Sequence, residues 1–172
     1  DIDGNDYHVW AALKNYSPKV VCIEFNETVP PHIDFVQNAK VSVNQGCGIL
    51  PLCTLGKAKG YELVCVSDNN VFFVLEQYYH LFSITDNSPS LMYSNTDKLT
   101  YLFVGYDGEI FLAGSKRLHW HSMDINADKL QQLPKLARKF PPNYNLFERF
   151  LFRLWRFKAS PGLFIKSILL RK

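Results

Sequence analysis

The chain has 172 residues, of which 47% are apolar, 15% aromatic and 20% charged, with a formal net charge of +3. This length and composition support a domain with a hydrophobic core and exclude a largely disordered chain. The charge is too small to imply nucleic acid, and no run of about 18 apolar residues exists to form a transmembrane helix.

Asp1-Ile2-Asp3-Gly4-Asn5 reads as a strand end and the turn after it, crowded with carboxylates. Asp6 to Asn15 then predicts a short helix, capped by Asp6, with Val9, Trp10 and Leu13 on one face. Lys19 to Phe25 is a continuous apolar run with β-branched residues, the pattern of a strand buried on both faces. Strand end, helix and strand in that order predict a parallel βαβ unit. Residues 26–46 form a long polar loop, a length usually reserved for functional segments. Gly48 to Lys59 predicts a helix with Pro51 in its first turn and Gly60 as its cap. Tyr61 to Ser67 and Val71 to Leu75 predict two strands. The short Asp68-Asn69-Asn70 turn makes them antiparallel.

Beyond residue 76 the expected elements are a short helix over 77–84, a polar loop over 86–97 and a hairpin around Asp107-Gly108. A modest helix interrupted by Pro134 follows, and then a strong helix over Asn145 to Lys158. The fold class is therefore α/β with an antiparallel final hairpin and a mixed C-terminal extension. The expected divisions are 1–84, 85–144 and 145–172.

The four cysteines, at 22, 47, 53 and 65, form no CxxC pair. Their spacing suits neither a disulfide framework nor a zinc site, so a reducing, cytoplasmic compartment is expected. Cys22 and Cys65 lie in apolar strand runs and read as small buried hydrophobes. His119-Trp120-His121, with Lys116 and Arg117, lacks a third metal ligand in register and reads as a surface loop anchored by its tryptophan. The last helix places Arg149, Arg153 and Arg156 on one face and apolar residues on most of the rest. Residues 149–172 hold seven lysines and arginines and no carboxylate side chain. Peripheral contact of 145–172 with an anionic membrane is one expectation, and packing against the domain is the other.

Ligands of open α/β sheets bind beyond the carboxyl ends of the parallel strands. Asp1 to Asn5 and Glu24-Phe25-Asn26 both fall at such ends, so they are expected to face one crevice. There Asp3 and Glu24 act as a base or hold a cation, and Asn5 and Asn26 orient a hydroxyl or carbonyl. Asn44 and Gln45, in the long loop, are further candidates for substrate contact.

The segments DIDGNDYHVWAAL, PKVVCIEFN and KGYELVCVSDNNVFFV resemble, in that order, the C-terminal half of FkbM-like S-adenosylmethionine-dependent methyltransferases. The likeness spans residues 1 to about 75 and rests on a series of moderately specific motifs. It implies an acidic Asp-Gly turn, a helix, a strand ending in Glu, a late strand and an antiparallel final strand. It also implies that Asp1, Asp3, Gly4, Asn5, Glu24 and Asn26 line the site beside cofactor and acceptor. Among them Asp3, Asn5 and Glu24 are the expected catalytic residues, Asp1 and Gly4 the expected cofactor contacts and Asn26 an expected substrate contact. Class I methyltransferases hold the cofactor with a Gly-rich turn after the first strand and an acidic residue after the second, and this sequence has neither. The expectation is therefore a partial O-methyltransferase without its cofactor-binding N-terminal half, acting on a small-molecule or glycan hydroxyl. Tight binding of S-adenosylmethionine by these residues alone is not expected. Two rival readings remain. One is a non-catalytic, membrane-surface remnant organised around the last helix. The other is a metal-dependent glycosyltransferase fragment in which Asp1 and Asp3 form a DxD motif.

Overall fold

In the computed structural model, which describes residues 2–40 and 42–162, three strands form the central sheet. They are β1 (Val20–Glu24), β2 (Tyr61–Val66) and β3 (Asn70–Leu75), in the order β1-β3-β2. β3 is antiparallel to both neighbours, with Val21 opposite Phe73 on one side and Leu63 opposite Phe73 on the other. The predicted hairpin is thus present. The predicted parallel βαβ unit is not present among the described residues, where no strand precedes β1 and β1 pairs antiparallel with β3. Residues 2–5 form a turn rather than a strand end. The protein is a mixed α/β structure in which the described sheets are small and antiparallel.

Two helices, α1 (Asp6–Ala12) and α2 (Ile49–Ala58), supply the apolar residues that cover one sheet face. Trp10 of α1 packs on Phe73 with ring centroids 5.0 Å apart and meets Tyr61 edge-on at 5.8 Å. Ile49 and Leu52 of α2 are fully buried, as are Val71 and Phe73. Pro51 is accommodated in the first turn of α2, where its missing N–H has no helical partner to lose. Gly60 follows the helix with φ +78°, as its place after the C-terminus requires.

Two of the expected burials are corrected. β1 is half-buried, not buried on both faces. Ile23 points into the core, while Val20 and Cys22 alternate onto an exposed face. In β2, a register shift between Leu63 and Cys65 turns two successive residues, Leu63 and Val64, inward and Cys65 outward. The extra residue of a bulge reverses the in–out phase beyond it. The buried thiols are those of Cys47 and Cys53. Burial pushes each up from an ordinary 9.0 to about 12.

These thiols make a prediction. A disulfide-exchange reagent should titrate Cys22 and Cys65 in the native protein, and Cys47 and Cys53 only after denaturation. Unfolded thiols lose their protons near pH 9, whereas the folded ones hold them to about 12. The contribution is therefore complete below pH 9 and is lost as pH rises toward about 12. Fast reaction of all four thiols at neutral pH would contradict the burial.

The chain forms two compact units, Asp1–Thr100 with Gly114–His121, and Tyr101–Ala113 with Ser122–Lys172. The first holds the sheet, together with the short helices α3 (Glu76–Tyr79) and α4 (Pro89–Met92). The second is built on a hairpin of β4 (Thr100–Val104) and β5 (Ile110–Gly114), which turns at Asp107-Gly108 as predicted. Gln131, just after α5 (Ala127–Leu130), accepts from the Ile110 amide at 3.0 Å and donates to the Ile110 carbonyl at 2.8 Å. The modest helix expected over 124–139 is reduced to α5 and a 3-10 turn over Lys135–Ala137. The last helix, α6 (Leu146–Ala159), begins with a capping box. The Asn145 side chain accepts from the Glu148 amide, and the Glu148 carboxylate accepts from the Asn145 amide, each at 2.8 Å. The apolar and basic tail from Leu163 lies outside the described residues.

Candidate functional site

The acidic turn reaches its shape through its backbone. Asp3 has φ +51°, which a short polar side chain tolerates, and Gly4 has φ +132°, which a residue with a Cβ rarely adopts. A Cβ on Gly4 would also sit 2.5 Å from Oε1 of Gln37. Gln37 is the reason the turn holds. Only 3% exposed, it donates through Nε2 to Asn5 Oδ1 at 3.2 Å and to the Val43 carbonyl at 2.8 Å. Its Oε1 accepts from the amides of Gln45 and Gly46, each at 2.7 Å. One buried amide thus ties the acidic turn to the far end of the long loop.

Asn26 organises the near end. Its Oδ1 accepts from the Thr28 amide at 2.9 Å and the Thr28 hydroxyl at 2.6 Å, and its Nδ2 donates to the Gln45 carbonyl at 2.8 Å. An isolated bridge between Val36 and Cys47 closes the loop between them. The 26–46 segment is therefore an ordered flap built from side-chain-to-backbone bonds.

Between the flap, the acidic turn and the end of β1 lies a cavity of about 360 Å³. Asp3, Gly4 and Asp6 line it from the turn, Glu24, Phe25, Asn26 and Glu27 from β1 and the residues after it, and Asn44, Gln45 and Gly46 from the flap. Asn69 and Trp120 complete it. Six residues expected at the site meet here: Asp3, Gly4, Glu24, Asn26, Asn44 and Gln45. Asn5 does not line the cavity, because its amide oxygen is engaged by Gln37. Asp1 lies outside the described residues, and the DxD pair with it.

Among the described residues four carboxylates line the cavity, and no lysine or arginine does. Asn69 donates to Glu24 Oε1 at 2.8 Å and is held in turn by Asn70, so the Glu24 carboxylate is aimed. Glu27 is 9% exposed, and its Oε1 pairs with Lys98. Its other oxygen, Oε2, is buried and has no hydrogen-bond partner among the described residues. A buried polar atom without a partner is costly, so this oxygen is a ready acceptor. The negative charge is felt nearby. Burial is the main cause of the raised Cys47 thiol, and the carboxylates of Asp6 and Glu24 add to it.

Asp6, Glu27, Asn69 and Trp120 were not expected at the site. Trp120, 70% exposed, lines the cavity. Its neighbour His119 contacts Ser115 Oγ at 2.9 Å rather than joining a ligand set. Among the described residues no group of three or more His, Cys, Asp or Glu side chains converges as a metal site.

The fold and cavity define a mixed α/β protein with a pocket lined by carboxylates and edged by a tryptophan. No protein-family model, curated protein or solved structure matches the chain.

Proposed function

We propose that the cavity binds a cationic small molecule, and that the chain is a methyltransferase-like protein in which this cavity receives the sulfonium side of S-adenosylmethionine and an acceptor hydroxyl. The observation that carries the reading is the meeting of the acidic turn with the Glu24-Phe25-Asn26 strand end in one cavity. Four wall carboxylates, one of which, Glu27, pairs with Lys98, favour a positive ligand, and an indole at the edge is a group suited to cation–π attraction. The antiparallel final strand β3 agrees with the arrangement that the resemblance implies.

In this reading S-adenosylmethionine supplies an electrophilic methyl group. The protein would align the acceptor oxygen with that methyl group, and Asp3 or Glu24 would take the proton of the acceptor hydroxyl. Gly4 keeps the turn narrow at the ligand, and Asn26, Asn44 and Gln45 shape the acceptor side. The acceptor class is a small molecule or glycan bearing a hydroxyl.

Amide chemical-shift mapping with millimolar S-adenosylmethionine tests this. Shifts are expected at Gly4, Asn26, Gly46 and Asn69. S-Adenosylhomocysteine, which lacks the sulfonium charge, should bind at least tenfold more weakly. The Asp3→Asn, Glu24→Gln double variant should lose the shifts. Equal binding of the two ligands, or shifts confined to residues outside the cavity, would overturn the reading.

A further inference from the structure

The second unit has little interior of its own. Among its described residues Tyr144 is the one buried hydrophobic side chain, while Leu102, Phe103, Val104, Tyr106 and Leu136 are all exposed. The outer face of α6 is the most ordered part of that surface. Phe147, Phe150, Leu151 and Leu154 follow the i, i+3, i+4, i+7 spacing of one helix face, and all four are about half exposed or more, as is Leu146. The opposite side of the helix faces its own unit. There Phe152 packs on Tyr144 with centroids 5.5 Å apart and stacks on Trp155 at 6.0 Å. The capping box fixes the start of the helix, so the apolar face exists before any partner arrives.

We propose that α6 lies in the plane of an anionic lipid bilayer, with Phe147, Phe150, Leu151 and Leu154 inserted and Arg153 and Lys158 at the headgroups. This inference is independent of the function proposed for the cavity. The charge identifies the occupant. The second unit carries eleven lysines and arginines against five carboxylates, and from residue 149 onward no carboxylate side chain occurs. Protein interfaces are depleted in lysine, whereas an anionic leaflet attracts clustered cations of both kinds. Arginine stems at the edge of an apolar helix face can stay in contact with it while their guanidinium groups reach phosphate. The dimensions agree as well. Fourteen residues make a helix of about 21 Å, short of the roughly 30 Å hydrocarbon core. No described helix is long and apolar enough to cross a membrane. A helix of this pattern lies along the surface.

The test is flotation of the full chain with vesicles of phosphatidylcholine containing 30% phosphatidylserine, against phosphatidylcholine alone. At least tenfold stronger partitioning to the anionic vesicles is expected, reduced about tenfold in 0.5 M salt. Phe150→Asp with Leu154→Asp should abolish it. Because both side chains are exposed, circular dichroism should show the fold retained. Arg153→Gln with Lys158→Gln should weaken binding several-fold while leaving the apolar face intact. A Phe147→Trp reporter should shift to the blue and be quenched by brominated lipid. Equal partitioning to both vesicle types, or binding unaffected by the Phe150 and Leu154 changes, overturns the proposal. So does a stable dimer in sedimentation equilibrium that those same two changes dissociate, because the face would then belong to a second copy.

Discussion

Replacing Phe73 by alanine should destabilise the first unit by about 3–5 kcal/mol, the usual cost of deleting a buried phenyl ring. Phe73 is fully buried at the centre of β3, with β1 on one side and β2 on the other. Trp10 lies 5.0 Å from its ring centroid, so the void would open between the sheet and α1. Collapse of the neighbours is hindered because both flanking strands are held in register by β3. Urea denaturation followed by circular dichroism reads the loss directly. A single domain has about 5–15 kcal/mol to lose, so the variant would be marginal. A cost below about 1 kcal/mol would mean that this ring is not the centre of the core.

Gln37→Leu should cost about 2–4 kcal/mol, through buried groups left without partners. The leucine fills a similar volume but returns none of the four bonds. The amides of Gln45 and Gly46 lose their acceptor, and Asn5 Oδ1 and the Val43 carbonyl lose their donor. Hydrogen exchange at Gln45 and Gly46 should speed up by more than tenfold, with less change in the β2–β3 hairpin. Because Gln37 joins two walls of the cavity without lining it, ligand-induced shifts at Gly4 should vanish as well. Unchanged exchange at Gln45 and Gly46 would show that the flap is held by something other than this side chain.

Much of the first unit was legible in the residues. The Tyr61–Val66 and Asn70–Leu75 hairpin follows from two apolar runs separated by a turn too short for any other connection. The Asn145 capping box and the amphipathic character of α6 follow from local spacing. The meeting of Asp3 and Gly4 with Glu24 and Asn26 was also expected, but by a route that the fold revises. The expectation rested on parallel strand ends, whereas residues 2–5 are a turn held by Gln37 and β1 pairs with β3.

Local rules govern what neighbours in the chain decide: turn length, cap chemistry, helical periodicity and the left-handed glycine at position 4. By itself the sequence therefore determined the hairpin, the amphipathic helix, the presence of a long polar loop between two apolar runs and the acidity of its opening turn. Only tertiary structure decided the rest. Strand order placed Asn69 against Glu24, and a bulge in β2 turned Cys65 to solvent while leaving Cys47 and Cys53 inside. Bonds from Gln37 across its own loop and to the distant Asn5 made it the staple of the site, and one oxygen of Glu27 was left buried with no hydrogen-bond partner among the described residues. These outcomes depend on which distant segments compete for the same space and the same hydrogen bonds. No window of neighbouring residues contains that competition.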